Sequence, residues 1–265
     1  MLRKLIGFEF RSTCRLTLPA LGVLWITSMV MLGIGLLARA IGDQSVVSFG
    51  LLSGLIYYFV LLVFPGSILI LGVVQFYRNL VGKEAYLMLA LPAYASDHVI
   101  AKLVTWTVWL IFALVNIVVS VVVVLWGILG SREWSNIDWT MVWAGVRASL
   151  NQYTMFSSQV VPLACALLVL ALCSVFLMPY LAIALGQLST KNHVLMSVVA
   201  YIGIYLTVTC VNAIWATPLL VTAVVGAQAN QLVAYLGASL LAQMIYAVIY
   251  FAGTVYLFTK KVNLI

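Results

Sequence analysis

Hydrophobic and polar positions alternate along this chain on the scale of whole helices. Long uncharged, apolar runs are separated by short stretches that hold the charged residues. About 20 apolar residues in a helix cross the hydrocarbon core of a bilayer. The pattern therefore predicts six membrane-spanning helices, at 17–37, 51–76, 97–129, 160–185, 193–214 and 231–258. In a transmembrane β-barrel, apolar and polar residues alternate one by one along each strand. Runs such as 118–124 do not show this alternation.

Composition supports an all-α integral membrane protein with a single transmembrane domain. Hydrophobic residues make up 65% of the chain, charged residues 7%, and the mean hydropathy is +1.19. Soluble domains carry about 25% charged residues. The net charge of +7 comes from cations that flank apolar runs, not from a basic soluble face. Membrane lipid is therefore an expected partner, and nucleic acid is not.

Residues 1–16 contain too many charges to span. Lys4, Arg11 and Arg15 fall within a narrow arc of a helical wheel, which predicts an amphipathic interfacial helix with its cations toward anionic headgroups. Glu9 falls in the middle of the apolar side. Two interpretations stay open: the helix is partly exposed to water, or Glu9 contacts protein.

Three amides stand inside predicted spans: Asn116, Asn212 and Gln243. An amide in lipid is costly unless it is hydrogen-bonded, so these side chains are expected to face other helices or a transport pathway. For Asn116, near the centre of the third span, an interhelical hydrogen bond is the favoured interpretation. Pro65 and Pro179 are expected to kink the second and fourth spans.

The segment 131–157 is the longest polar stretch. Within it, large apolar residues recur at helical spacing, and two of them are tryptophans, which are enriched at membrane surfaces. This pattern predicts a helix that lies in the outer interface. The residues are Trp139, Trp143, Val146, Leu150 and Tyr153.

The last uncharged block, 192–259, is long for two spans and short for three. Pro218 and Gly226 interrupt it, which favours two spans with an outer re-entrant segment at 215–230 between them. The positive-inside rule decides the orientation. Ten cations then lie inside: Arg3, Lys4, Arg11, Arg15, Arg78, Lys83, Lys102, Lys191, Lys260 and Lys261. Three lie outside: Arg39, Arg132 and Arg147. Both termini are therefore predicted to be cytoplasmic.

The connection between the second and third spans holds most of the remaining charge. Its charged and titratable residues predict a water-exposed link; they are Arg78, Lys83, Glu84, Asp97, His98 and Lys102. Within it, Gly82 can cap a very short helix that Pro92 ends. Leu87 and Leu91 share one side of that helix, which suits docking into a groove.

Several short motifs carry a resemblance to a known family. They are Gly82-Lys83-Glu84 and Leu91-Pro92 in the connection, Gly186-Gln187-Leu188 with Lys191, and the ending Lys260-Lys261-Val262-Asn263-Leu264. Together they look like the permease subunits of ABC-2-type transporters. In that family the short helix is called the coupling helix, and it docks on a separate ATP-hydrolysing subunit.

The resemblance implies the membrane subunit of a bacterial exporter in the cytoplasmic membrane. Its partners would be ABC ATPase subunits and a second permease, identical or related, with ATP and magnesium held by the ATPase. Spans without charge suit amphipathic cargo such as antimicrobial peptides, drugs or lipids. The implied docking residues are Lys83, Glu84, Tyr86, Leu87, Met88 and Leu91. Glu84 would be the polar contact, unless it only favours the helix start as an anion.

The chain itself lacks the motifs of an enzyme. Gly82-Lys83 is not preceded by the glycine of a phosphate-binding loop. No metal site is expected, because His98 and His193 have no ligand partners at metal spacing and flank span ends near headgroups, and the four cysteines form no metal-binding spacing. No cofactor is therefore expected on this chain. Two alternatives to the exporter remain: a secondary transporter driven by an ion gradient, and a non-transporting membrane anchor or immunity protein.

Overall fold

All six predicted spans are helical in the computed structural model of the chain, which describes residues 2–41, 44–81, 94–136, 138–152, 154–189, 192–225 and 229–260. Within these residues there is no strand. Six of the helices contain a stretch long and apolar enough to cross a membrane. The chain is thus an all-α, multi-pass membrane protein. Its helices are α1 (Leu2–Ile41), α2 (Gln44–Leu80), α3 (Ala95–Asn136), α4 (Trp139–Gln152), α5 (Thr154–Gly186), α6 (His193–Val225) and α7 (Ala229–Lys260).

The first helix differs from the prediction. We expected an interfacial helix at 1–16 followed by a span at 17–37, but α1 is one continuous helix that contains Pro19. A proline removes only one backbone hydrogen bond. The buried side of the helix continues through this position at intervals of three and four residues, so packing on one face supports the helix on both sides of Pro19. These buried residues are Glu9, Thr13, Thr17, Leu21, Leu24, Ser28 and Met31.

The C-terminal block also differs. In place of a re-entrant segment at 215–230, α6 continues as helix through Pro218 to Val225, and α7 begins at Ala229. The two helices have 33 and 32 residues, so each is about 50 Å long at 1.5 Å per residue. The prediction assumed spans of about 20 residues, matched to a hydrocarbon core of about 30 Å. Helices of this length contain more residues than that assumption allows.

The chain divides into two compact units. The first unit comprises Arg3–Gly72 and Thr105–Trp143. Within it, α1 and α3 run parallel, because Thr13 contacts Trp109, Ser28 contacts Ser120, and Leu32 faces Gly127. On α2, Gly50 faces Ile34 and Gly54 faces Met31, so α2 runs antiparallel to α1. These directions are those of consecutive membrane spans.

The second unit comprises Val73–Val104 and Ala144–Ile265, together with Met1–Leu2. Here α5 packs against both α6 and α7, and α6 also packs against α7. α7 lies close to α5 at Gly253, where an added Cβ would lie 2.8 Å from a methyl carbon of Leu181. The C-terminal ends of α2, α5 and α7 meet in this unit, because Phe76 contacts both Tyr180 and Phe258. The candidate site is built on this meeting of helix ends.

Candidate functional site at the base of the link

The coupling helix predicted between Gly82 and Pro92 lies in residues 82–93, the link, which falls outside the described residues. The same holds for its six docking residues, Lys83, Glu84, Tyr86, Leu87, Met88 and Leu91, whose role stays a prediction. The two helix ends that flank the link are described. The N–H of Val81 still donates to the carbonyl of Tyr77 at 2.9 Å. On the far side, the carbonyl of Tyr94 accepts from the N–H of Asp97 at 3.0 Å.

Three aromatic rings hold the end of α2 in the second unit. The ring of Phe76 lies flat on that of Tyr180, with centroids 3.7 Å apart and planes 8° apart. Phe258 meets Phe76 edge to face, with centroids 5.8 Å apart. All three side chains are buried. The rings of Phe76, Tyr180 and Phe258, the aromatic clasp, therefore join the ends of α2, α5 and α7.

Polar side chains are also buried beside the link. They are Gln75 and Asn79 on α2, and His98 and Lys102 on α3. His98 is 1% exposed and Lys102 is 0% exposed, whereas the sequence predicted a water-exposed link and placed His98 near headgroups. The reason is that α3 already begins at Ala95, so that both residues lie on one helical face, four positions apart. None of the four lacks an interaction partner.

In the first unit, the burial of Glu9 distinguishes the two interpretations of residues 1–16, exposure of the helix to water or contact of Glu9 with protein. Its side chain is 1% exposed, on the same face of α1 as the buried Thr13 and Thr17. Glu9 therefore contacts protein and not water. Thr13 is fixed further, because its hydroxyl donates to the carbonyl of Phe10 at 3.0 Å and accepts from the indole N–H of Trp109 at 2.9 Å. The cations predicted on the opposite face are exposed: Lys4, Arg11 and Arg15.

Two of the three amides inside the spans, Asn116 and Asn212, make interhelical hydrogen bonds. The indole N–H of Trp25 donates to Oδ1 of Asn116 at 3.2 Å, and Nδ2 of Asn116 donates to the carbonyl of Phe112 at 2.8 Å. The interhelical bond expected for Asn116 is confirmed. In the second unit, the hydroxyl of Tyr246 on α7 donates to Oδ1 of Asn212 on α6 at 3.1 Å. Gln243 lies half-buried on α7.

A chain of hydroxyls between three helices was missed by sequence reasoning. The Ser28 hydroxyl lies 2.6 Å from the Leu24 carbonyl and 2.6 Å from the Ser120 hydroxyl, which lies 2.6 Å from the Tyr57 hydroxyl. A carbonyl can only accept, and each hydroxyl has one proton. The donors therefore run in one direction, from Tyr57 to Ser120 to Ser28 to the carbonyl. The available signal was a polar residue inside each of three apolar runs, but hydroxyls are too common in spans to single these out.

The helix predicted within 131–157 is present as α4 (Trp139–Gln152), while its place in the outer interface stays a prediction and Tyr153 lies outside the described residues. Val142 and Trp143 are exposed on its surface. Asp138 caps its start, because the carboxylate accepts from the Thr140 hydroxyl, from the Thr140 N–H at 3.0 Å and from the Met141 N–H at 3.4 Å. The Thr140 hydroxyl bond, with that of the Met141 N–H, lowers the pKa of Asp138 from its usual value.

An apolar groove of about 380 Å³ lies between α1 and α3 in the first unit. Such a groove can take up hydrocarbon, but it has no polar group to orient a ligand. It is lined by Met29, Leu32, Val122, Val123 and Trp126. Over the described parts of the chain, no three His, Cys, Asp or Glu residues come together as a metal site.

The fold and the site together define a class: a multi-pass helical membrane protein in which both helices beside the link carry buried residues close to it, Phe76 on α2 and Val99 on α3. Comparison with protein-family models, with curated proteins and with solved structures finds no match to this chain.

Proposed function

We propose that this chain is the membrane-spanning permease subunit of an ATP-driven exporter of the ABC-2 type. Two features of the sequence support the proposal: the motifs around the link and at the C-terminus, and the predicted short helix between Gly82 and Pro92. The alternating directions of α1, α2 and α3 agree with a link that lies at one membrane face.

One observation carries the proposal: the helix end that enters the link is built into the core of the second unit. Phe76 is fully buried against Tyr180. On the α3 side, Val99 and Ala101 are also buried. A displacement of the link by an external subunit would therefore act on packed helices and not on a loose surface loop. That is the mechanical requirement for coupling ATP hydrolysis to a change in the spans.

The proposal names partners of three kinds. ATPase subunits would dock on the link and hold ATP and magnesium. A second permease, identical or related, would complete the pathway. The bilayer would surround both, with the exposed cations Lys4, Arg11 and Arg15 toward anionic headgroups. Spans with so few charges suit amphipathic cargo.

The docking step is tested by replacing Leu87 and Leu91 with Asp in the chain coexpressed with a candidate ABC ATPase subunit. Two carboxylates pushed into a protein groove are strongly unfavourable. The expected result is loss of ATPase copurification, or hydrolysis without transport, while the permease still inserts. Met141→Asp, at an exposed position on α4 and away from the link in sequence, is the control and should leave assembly intact. Assembly and transport that survive the double substitution would show that the link is not the docking element.

One observation favours a second candidate, a carrier driven by a proton or sodium gradient. Glu9 in the first unit and His98 in the second are buried in helices that can cross a membrane. Buried titratable groups in such helices are typical of ion-coupled carriers. In the sequence, both residues look like polar groups of a link or an interface.

The two candidates differ in their energy source. The exporter is expected to transport in vesicles with collapsed proton and sodium gradients when ATP and the ATPase are supplied. Transport by this chain alone, driven by an imposed gradient, would support the carrier and exclude the exporter. Glu9→Gln separates them further, since it should abolish gradient-driven transport but leave ATP hydrolysis by an assembled complex intact.

A further inference from the structure

The aromatic clasp lies close to the point where α2 enters the link. Phe76 precedes Val81, the last described residue before the link, by little more than one helical turn. The helical hydrogen bond from Val81 to Tyr77 keeps this segment a continuous helix. A displacement at the end of α2 therefore reaches Phe76 without an intervening flexible joint.

The flat stacking of Phe76 on Tyr180 transmits such a displacement. Two rings 3.7 Å apart and 8° from parallel are in full van der Waals contact, so one cannot approach the other without moving it. Phe258 closes the edge of Phe76, and Phe176 supports Tyr180 with ring centroids 6.4 Å apart. Every one of these rings is buried.

On α5 and α7, the residues next to the clasp can respond to a displacement of the end of α2. Pro179 lies inside α5 directly before Tyr180, and a proline removes one helical hydrogen bond and allows the helix to bend there. Leu181 packs directly against Gly253 of α7, where an added Cβ would lie 2.8 Å from its methyl carbon. A displacement of the last turns of α5 therefore acts on the facing part of α7.

We propose that the clasp of Phe76, Tyr180 and Phe258 carries the displacement of the link into α5 and α7, with Phe76 and Tyr180 as positioning residues for coupling. The inference rests on the proposed function, since it assigns how an ATPase-driven movement of the link reaches the spans. Removal of the ring stack should separate ATP hydrolysis from movement of α5, whereas removal of the Tyr180 hydroxyl alone should not.

The test uses the assembled complex of the full chain with its ATPase. In a chain whose four cysteines are replaced by Ala or Ser, Ser189→Cys, three residues past the end of α5, carries a fluorescent maleimide. The probe records the fluorescence change when ATP and vanadate trap the ATPase. Phe76→Leu and Tyr180→Leu remove the stack, and Tyr180→Phe keeps it. Phe10→Leu removes a different stack, that of Phe10 on Trp109 in the first unit.

The expected result is a roughly tenfold smaller fluorescence change in Phe76→Leu and Tyr180→Leu, with assembly and trapping retained. Tyr180→Phe and Phe10→Leu should behave as the unsubstituted complex, and Phe258→Leu, which loses only the edge contact, should be intermediate. If Phe76→Leu does not fold, Tyr180→Leu and Tyr180→Phe are compared instead. A smaller fluorescence change in Tyr180→Leu alone supports the clasp, and equal changes in the two variants overturn it.

Two failures are distinguishable. An unsubstituted chain that binds no ATPase, or shows no change on trapping, overturns the proposed function and this inference with it. A complex that responds normally, and responds equally in Phe76→Leu or Tyr180→Leu, overturns the clasp alone. Equal losses in Phe10→Leu and Phe76→Leu would also overturn it, because the effect would then reflect general loss of packing.

Discussion

The hydroxyl of Tyr57 on α2 lies 2.6 Å from the hydroxyl of Ser120 on α3, and donates its proton to it. Ser120 in turn donates to Ser28 on α1, so that one buried serine joins three helices. In hydrocarbon a hydroxyl without a partner is unfavourable. Loss of Ser120, in the middle of this chain of hydroxyls, should therefore reduce stability more than loss of the Tyr57 hydroxyl at its end.

We expect Ser120→Ala to destabilise the protein more than Tyr57→Phe. The alanine leaves two buried hydroxyls without a partner on one side, at a cost of about 1–3 kcal/mol. The phenylalanine removes only the first donor, at about 0.6 kcal/mol, the average for an interhelical hydrogen bond in a membrane. Unfolding in mixed detergent micelles measures both. Ser53→Ala, which loses only a bond to the carbonyl of Gly50 within α2, is the control, and an effect as large as that of Ser120→Ala would contradict the prediction.

Gly186 is predicted to tolerate no side chain. A Cβ there would lie 2.7 Å from the carbonyl oxygen of His193 and 2.8 Å from Cβ of Ser197, where α5 meets α6. Gly186→Ala should cost about 1–3 kcal/mol through overpacking. Gly203→Ala, on α6 with nothing within 4 Å, should be neutral or slightly stabilising. Thermal unfolding of the two variants checks this, and equal melting temperatures would exclude close packing at Gly186.

The cap formed by Asp138 should depend on pH. Its folded-state pKa is lowered, so the stabilisation of α4 is present above the ordinary aspartate pKa and is lost as the pH falls through the lowered folded-state pKa. Hydrogen exchange at the Thr140 and Met141 amides measures the effect. At neutral pH these amides should exchange more slowly in the unsubstituted protein than in Asp138→Ala, and the difference should disappear in acid. A difference that persists in acid would show that the carboxylate is not the cap.

The orientation of the spans is tested by single cysteines in a background without the four native ones. Ser189, in the α5–α6 turn, should react with a membrane-impermeant reagent only from the cytoplasmic side, and Ser135, at the end of α3, only from outside. The expectation follows from the ten cations predicted inside against three outside. Labelling of both positions from one side would contradict the six-span topology.

The sequence alone predicted six helices that are long and apolar enough to cross a membrane, and the structure has six among its described residues. The free energy of transfer of a side chain from water to lipid depends mainly on the side chain itself. An apolar run such as 193–214 therefore predicts a span whatever helices lie beside it. The same reasoning predicted that Asn116 must have a hydrogen-bond partner, because an amide in hydrocarbon needs one. The structure supplied Trp25 as that partner.

Only the tertiary structure decided which polar groups are buried, where helices continue, and which rings touch. Glu9 and Lys102 look like interfacial charges in the sequence but lie on packed faces. Pro218 looks like an interruption, yet α6 continues through it. Phe76 and Tyr180 are ordinary apolar residues on distant segments until the ends of α2 and α5 meet. In each case the outcome depends on the neighbouring helix, and that pairwise information is absent from the apolar pattern of a single segment.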